Sequence, residues 1–592
     1  MKKSILFFLL LSMHLSSHAQ GGIWTWVKGD TTGGANIGAI GVTNAANYPI
    51  GRYQAGQWKD LNGNFWIFGG NARNDLWKYD PATNIWTWVN GTLNTLAAGV
   101  YGTKGIASPN NMPGARNYGM HTWTDLQGRL WLSGGLGVDR LGGRGSLDDL
   151  WMYDIPTNQW TWMAGSDTAD PHPHYGTKGV AAVNNTPGGR SECNTTWVKS
   201  DGTLWTFGGQ YMSTNSACTD MWMYDPGTNM WTWMSGDSAL NTHGNYGVLN
   251  VESATNLPPS RWGYTHWQDN DNFYIFGGFG LEEYDDIWKY NTSNNRWTWL
   301  GGITTNDNHG LYLQTCSYGG NKLPAARFEN RTCQTTDCSK LFWTFGGVDR
   351  FDNNFNDLWN FNIQTGEWRW VSGDSTTNSP GHYGTMGIPS ASDLPAARNG
   401  FCFWADDAGA LWLWGGDGQS PCWGAMWKFV PDTSCIHPIT QATPTISRVG
   451  NTLTASAAAH YQWQYNGTDI TGDTMASITA TQVGTYTVVV SNNSGCSASA
   501  SVNVIKTGIS EMNDALHIRI YPSPNSGSFT LNVPESIGSN YTIYDMLGRQ
   551  IQQGMITAET LQISISGNAD GVYTLAIHTA ASSAAIRFTV VK

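Results

Sequence analysis

Basic residues are scarce in this 592-residue chain: 32 Lys and Arg stand against 44 Asp and Glu, giving a net charge of −12 and an isoelectric point near 5.5. That balance excludes an electrostatic grip on nucleic acid or on an anionic membrane surface. Charge of either sign is thin, at 13% of residues. Long apolar runs are missing as well. Beyond the amino terminus no segment approaches the ~20 apolar residues of a spanning helix, so no transmembrane segment is expected. The nine cysteines never adopt the paired C-x-x-C spacing of a zinc site. No nucleophile elbow or phosphate loop occurs, so the sequence implies no cofactor and names no catalytic residue.

Glycine and tryptophan are abundant instead, at 71 and 32 residues, the material of tight turns and bulky strands. Between Leu61 and Gly416 one phrase recurs six times: an apolar, Trp-rich run ending in Gly-Gly, an Asp-x-Trp-like strand, and usually a Trp-x-Trp strand. The first copy runs Phe65 to Gly70, Asp75 to Asp80 and Trp86 to Trp88, and later Gly-Gly pairs end at Gly135, Gly209, Gly278, Gly347 and Gly416. A period of roughly 70 residues built from short strands predicts an array of sheets. Each unit reads as four antiparallel strands. The first follows Arg52, Arg116, Arg190, Arg261, Arg327 or Arg398, and polar turns such as Asn62-Gly63 and Gln127-Gly128 lead into the second. A sheet buried on both faces needs bulk at alternating positions, which the Trp residues supply.

The Gly-Gly pairs, the spaced Trp and the Tyr-Asp of Tyr79-Asp80, Tyr153-Asp154 and Tyr224-Asp225 resemble the Kelch family of β-propellers, across about residues 22–432. The long connections depart from the family's usual period of ~50 residues. The sixth unit leaves through Val430-Pro431 without a Trp-x-Trp strand, while Trp24-Thr25-Trp26 stands unused at the other end of the segment. An N-terminal strand completing the last sheet would close a ring of six blades and remove two exposed edges.

In that geometry the connections between blades share one face. They repeat a second phrase, Tyr101-Gly102-Thr103-Lys104-Gly105, which returns at Tyr175 and Tyr383 and is shortened at Tyr246 and Tyr318. It reads either as an aromatic binding face or as a loop anchor. The six arginines have two readings as well. Some Kelch propellers hold acidic peptides with arginines at this place, through a guanidinium fork that suits carboxylates; the alternative is a bond to loop carbonyls or a neighbouring acid. Irregular insertions are further candidates: Asp139 and Arg140 in the loop from Val138 to Ser146, the echo at Asp349 and Arg350, and the acidic Glu282-Glu283-Tyr284-Asp285. His172-Pro173-His174 is a weak metal signal. The inner-strand histidines His121 and His266 sit two blades apart and form no Tyr-His copper pair of the galactose oxidase kind.

Both ends read as export signals. Lys2-Lys3, the apolar stretch from Ile5 to Leu11 and Ser17-His18-Ala19 form a signal peptide over residues 1–19, which places the mature protein in an oxidising compartment. Cys193 with Cys218, and Cys402 with Cys422, each link the start of a repeat to the loop after its Gly-Gly and are the expected disulfides. Cys333 and Cys338 could pair with each other or with Cys316, and Cys496 could be free or pair with Cys435. Residues 436–506, with Tyr461 to Gly467 around Trp463 and Gly484 to Val490 around Tyr486, resemble an immunoglobulin-like β-sandwich lacking its disulfide. Residues 517–592 carry Tyr521-Pro522-Ser523-Pro524-Asn525, Tyr544-Asp545-Met546-Leu547-Gly548-Arg549 and Asp570-Gly571-Val572-Tyr573. They are similar to the C-terminal sorting domain of the type IX secretion system, a small β-sandwich. That resemblance implies passage across the outer membrane, then release or attachment at the surface, with the secretion machinery as partner.

The expected architecture is therefore all-β: a six-bladed propeller over 20–432, an immunoglobulin-like spacer and a sorting domain. The expected function is recognition of an extracellular glycan or protein. The alternatives are a carbohydrate-active oxidase or hydrolase, since scattered acids can pair across a propeller mouth, and a structural surface component.

Overall fold

Every described element is a β-strand, and the ladders between strands are antiparallel. The computed structural model describes residues 21–30, 33–192, 196–302, 309–313, 315–317, 322–335, 341–418, 424–432, 443–491, 497–504, 517–578 and 583–592. The signal-peptide reading of residues 1–19 lies outside them, as do Tyr318, Cys193, Cys338, Cys422, Cys435 and Cys496. The chain divides into two compact units, residues 1–440 and 441–592.

Among the described residues the first unit contains six four-stranded sheets, five of them each built from one sequence repeat. The first sheet runs Gly56–Lys59, Phe65–Phe68, Leu76–Asp80, Ile85–Asn90 in spatial order. Its second strand is buried at every position because both faces are covered. Asp60 sets the turn before that strand: its Oδ1 accepts the Asn62 and Asn64 N–H groups at 2.9 Å each, and its Oδ2 accepts Trp66 Nε1 at 2.8 Å. Asp125 and Asp406 repeat the device with Trp131 and Trp412.

An apolar core fills each space between consecutive sheets. Trp66 packs with Tyr153 between the first and second, Trp131 with Tyr224 between the second and third, and Trp205 with Tyr290 between the third and fourth. Trp267 stacks on Phe342 between the fourth and fifth, and Phe345 meets Phe403 between the fifth and sixth. Phe65 stacks on Trp404 at 4.9 Å, so the sixth sheet also packs against the first. The first strands follow the same circuit. Thr122 Oγ1 donates to Gln57 O, Thr196 Oγ1 to Thr122 O, Gln268 Nε2 to Val198 O, Thr332 Oγ1 to His266 O, Arg331 Nε to Phe401 O and Gln57 Nε2 to Phe403 O.

The sixth sheet takes its outer strand from the amino terminus, as the missing Trp-x-Trp strand predicts. Gly22–Lys28 pairs antiparallel with Met426–Pro431, placing Trp24 opposite Phe429 and Trp26 opposite Trp427. Trp24 is fully buried and its Nε1 donates to Ser372 Oγ at 3.1 Å.

The second unit holds two separate cores. One, around Trp463, Tyr486 and Val488, lies among the strands between Ile446 and Val504. Trp463 sits across from Val488, and the Tyr486 hydroxyl accepts the Thr481 and Gln482 N–H groups at 3.2 Å each. The other, around Phe529, Ile543, Leu575 and Phe588, lies among the strands between Arg519 and Val590.

Candidate functional site

The six repeat arginines are buried. Arg52 holds Asp75 with both terminal nitrogens, at 2.6 and 2.7 Å, and reaches Gly69 O at 2.9 Å. Arg116–Asp149, Arg190–Asp220, Arg261–Asp286 and Arg327–Asp357 repeat this fork. The same carboxylates accept the Trp of their Asp-x-Trp motif, as in Trp151 Nε1 to Asp149 at 2.8 Å. They also accept a loop tyrosine: Tyr101, Tyr175, Tyr246 and Tyr312 donate to Asp149, Asp220, Asp286 and Asp357. In the sixth repeat Ala425 stands where the Asp would be, and Arg398 donates to Tyr383 OH, Ala396 O and Gly415 O. The Tyr-Gly loops at Tyr101, Tyr175 and Tyr246 are anchored on these aspartates, and the one at Tyr383 on Arg398.

The insertion residues divide. Asp139 fastens its own loop, accepting the N–H groups of Leu141, Gly143 and Ala169, while Arg140 pairs with Asp167 at 2.6 Å on the surface. Asp349 likewise accepts the Phe351 and Asn353 N–H groups at 2.9 Å each, and Arg350 stacks over Phe351 at 4.9 Å. Asp349 and Phe351 nevertheless meet the acidic insertion of the fourth repeat. Together with Glu283, His309, Phe355 and Thr376 they line a pocket of about 300 Å³. Glu283 is buried and its Oε1 has no hydrogen-bond partner. Burial pushes its carboxyl up to about 7, against the opposing pull of the Arg350 backbone N–H. Phe351 is 65% exposed at the rim.

A second site was not legible as a motif. The residue two places after each repeat arginine adopts a left-handed backbone: Gln54, Tyr118, Glu192, Gly263, Glu329 and Gly400 have φ between 51° and 64°. Hydrogen bonds pass from one to the next: Gln54 N–H to Gly400 O, Gly400 to Glu329, Glu329 to Gly263, Gly263 to Glu192 and Glu192 to Tyr118, at 2.7–3.0 Å. A non-glycine residue held this way costs about 1–2 kcal/mol. At Gly400 even a Cβ is barred, since it would lie 2.3 Å from the Tyr53 ring.

Tyr53 crosses to hydrogen-bond Glu329, and Gln54 Nε2 donates to Glu192 Oε2 at 2.8 Å. The two carboxyls are buried. Desolvation, with the neighbouring Glu329 charge adding to it, pushes Glu192 up to about 8, and burial raises Glu329 too. Next to this throat lies a cavity of about 290 Å³ lined by the first strands of all six sheets, with Arg331, Thr122, Thr196, Gln57 and Gln268 in its wall. His266 also lines it; burial, helped by the Arg331 charge, drives its imidazole down to about 3. His121 instead hydrogen-bonds Thr206 Oγ1 at 2.6 Å and stacks on Trp123. The signal for the throat is visible afterwards: at the position where glycine suits the backbone, four repeats carry Gln, Tyr or Glu.

The disulfide expectation is corrected. Cys218 and Cys402 are free and buried, so neither takes part in a bridge. Strand alternation turns Cys402 into the core between the sixth and first sheets beside Met426 and Trp404, with its Sγ 4.0 Å from Ala55 O. Burial raises both thiols to about 12. Cys333 is free, and Cys316 is disulfide-bonded.

Residues 519–592 match the family described as a secretion system C-terminal sorting domain. The protein is thus exported by the type IX secretion system to the cell surface or the extracellular space. No curated protein matches the chain. Among the described residues no helix is long and apolar enough to cross a membrane.

Proposed function

We propose that residues 20–432 form a six-bladed, Kelch-type β-propeller serving as an extracellular recognition module, and that its ligand is a glycan, docked in the pocket between Glu283 and Phe351. The circuit of cores and of first-strand hydrogen bonds supports the ring. The left-handed Gly-Gly pairs, such as Gly69 at φ 63° and Gly70 at 81°, support the Kelch reading. Residues 436–506 are the immunoglobulin-like spacer, residues 517–592 the sorting domain, and residues 1–19 the signal for the first export step.

The observation that carries the recognition reading is the pocket where two irregular insertions meet. A repeat that serves only the fold has no reason to vary, and these insertions leave a buried carboxyl oxygen unpartnered beside an exposed ring. Aromatic faces stack on sugar C–H surfaces while buried acceptors take hydroxyl donors, a common division of labour in ligand pockets.

A glycan array probed with the full chain, followed by calorimetry on the best binder, tests this. Phe351→Ala and Glu283→Gln should each weaken binding about tenfold or more without unfolding the protein. Glycan binding indifferent to both changes, or capture of a protein ligand alone, overturns it. The hydrolase reading has one observation in its favour, the Glu192–Glu329 pair. Tyr53 and Gln54 already engage those carboxyls out of solvent, so recognition is preferred. Polysaccharide turnover abolished by Glu192→Gln would reverse that preference.

A further inference from the structure

Arg331 departs from the repeat, and the one strand-to-strand bond it makes leaves most of its guanidinium unused. Four residues after the repeat arginine, other sheets carry Gly56, Met120, Thr265 and Cys402, all small or uncharged. Arg331 instead places a guanidinium in the wall of the central cavity while being only 6% exposed. Its Nε is used by Phe401 O at 3.0 Å. Among the described residues, nothing accepts a hydrogen bond from its two terminal nitrogens, and no carboxylate lies within ion-pair distance of them. Glu192 and Glu329 feel its charge, but Gln54 and Tyr53 hold those carboxyls in the throat. The contrast with Arg116 or Arg261 is complete, since each of those has both terminal nitrogens on an aspartate. A cation taken out of water without a partner is costly, and a fold keeps one where something else completes it.

We propose that the central cavity is a binding site for a small carboxylate-bearing molecule of the acidic-sugar class, anchored by Arg331. A planar carboxylate matches the two free prongs of the guanidinium. The throat bonds from Tyr53 and Gln54 close one end of the cavity, so the ligand enters past Lys59 and Gln334, away from the repeat arginines and their loops. Hydroxyls of Thr122, Thr196 and Thr332 and the amides of Gln57 and Gln268 line its path. The threonines can take the sugar hydroxyls, because a hydroxyl that donates to a carbonyl still accepts. A volume of about 290 Å³ suits a single sugar ring or a similar small acid, not a polymer. This site shares no residue with the pocket at Glu283, so either can fail alone.

The experiment uses the purified full chain, with sodium galacturonate as probe, galactose as its neutral counterpart and sulfate as an anion without a carboxylate. Thermal unfolding and calorimetry are expected to show saturable stabilisation by galacturonate alone. Arg331→Met should lose that response. Arg331→Lys, which keeps the charge without the fork, should bind about tenfold more weakly, and it decides the matter if Arg331→Met does not fold. Three results overturn the proposal: no response to galacturonate, glucuronate or succinate; an equal response to galactose or sulfate; or an unchanged response in the Arg331 variants.

Discussion

Two populations of buried charge share the six-sheet unit. The five Arg–Asp forks are saturated: Asp149 alone accepts Arg116 twice, Trp151 and Tyr101. The throat and cavity groups are not, since Arg331 keeps two free nitrogens and Glu192 and Glu329 are pushed toward their protonated forms. Both populations lie on the same segments, only two to four residues apart in sequence. The difference is repetition. A contact that recurs in five of the six sheets is solved once and copied, whereas a charge that occurs once must be completed locally or by a ligand.

That contrast breaks most readily on the saturated side. Asp149→Ala strands Arg116 in the core and removes two further bonds, so a loss of about 3–5 kcal/mol is expected in denaturant unfolding. A loss below about 1 kcal/mol would show that the forks are ornamental. Trp24→Ala should cost about 3–5 kcal/mol as well, through the cavity left where the amino-terminal strand joins the sixth sheet. An unchanged midpoint would mean that this strand does not close the unit.

The unsaturated side is sharpened by pH. Glu192 titrates near 8 in the folded protein against an ordinary 4.5. The folded protein therefore holds a proton that the unfolded chain has released, and stability falls as pH rises between about 4.5 and about 8, then levels off. The slope for one such group is about 1.4 kcal/mol per pH unit. Glu192→Gln should reduce the slope, with Glu329, also raised by burial, keeping a share, and an unaltered pH profile would assign the slope elsewhere. The smallest effect is expected at the surface: Arg140→Ala loses a partly exposed pair with Asp167 and should change stability by roughly 0–1 kcal/mol.

The repeats were legible because Gly-Gly, Asp-x-Trp and Trp-x-Trp each serve a local need, a turn or a strand face. The borrowed strand was legible for the same reason: one strand too few at Val430 matched one too many at Trp24. The throat was not. Tyr53 and Glu329 lie 276 residues apart, and Gln54 and Glu192 lie 138 apart. No window of sequence contains both partners. The disulfide expectation failed on direction: the spacing of Cys402 suited a bridge, but its position in the strand turns the thiol into the core between two sheets.

The sequence by itself determined the strand composition, the six-fold repeat and the destination outside the cell, because turns, alternating bulk and a sorting tail are written in contiguous residues. Only the tertiary structure decided that the repeat arginines are answered and that Arg331 is open. An Arg has the same side chain at position 116 and at 331; whether its charge is answered depends on which distant carboxylate the packed sheets bring within a few ångströms.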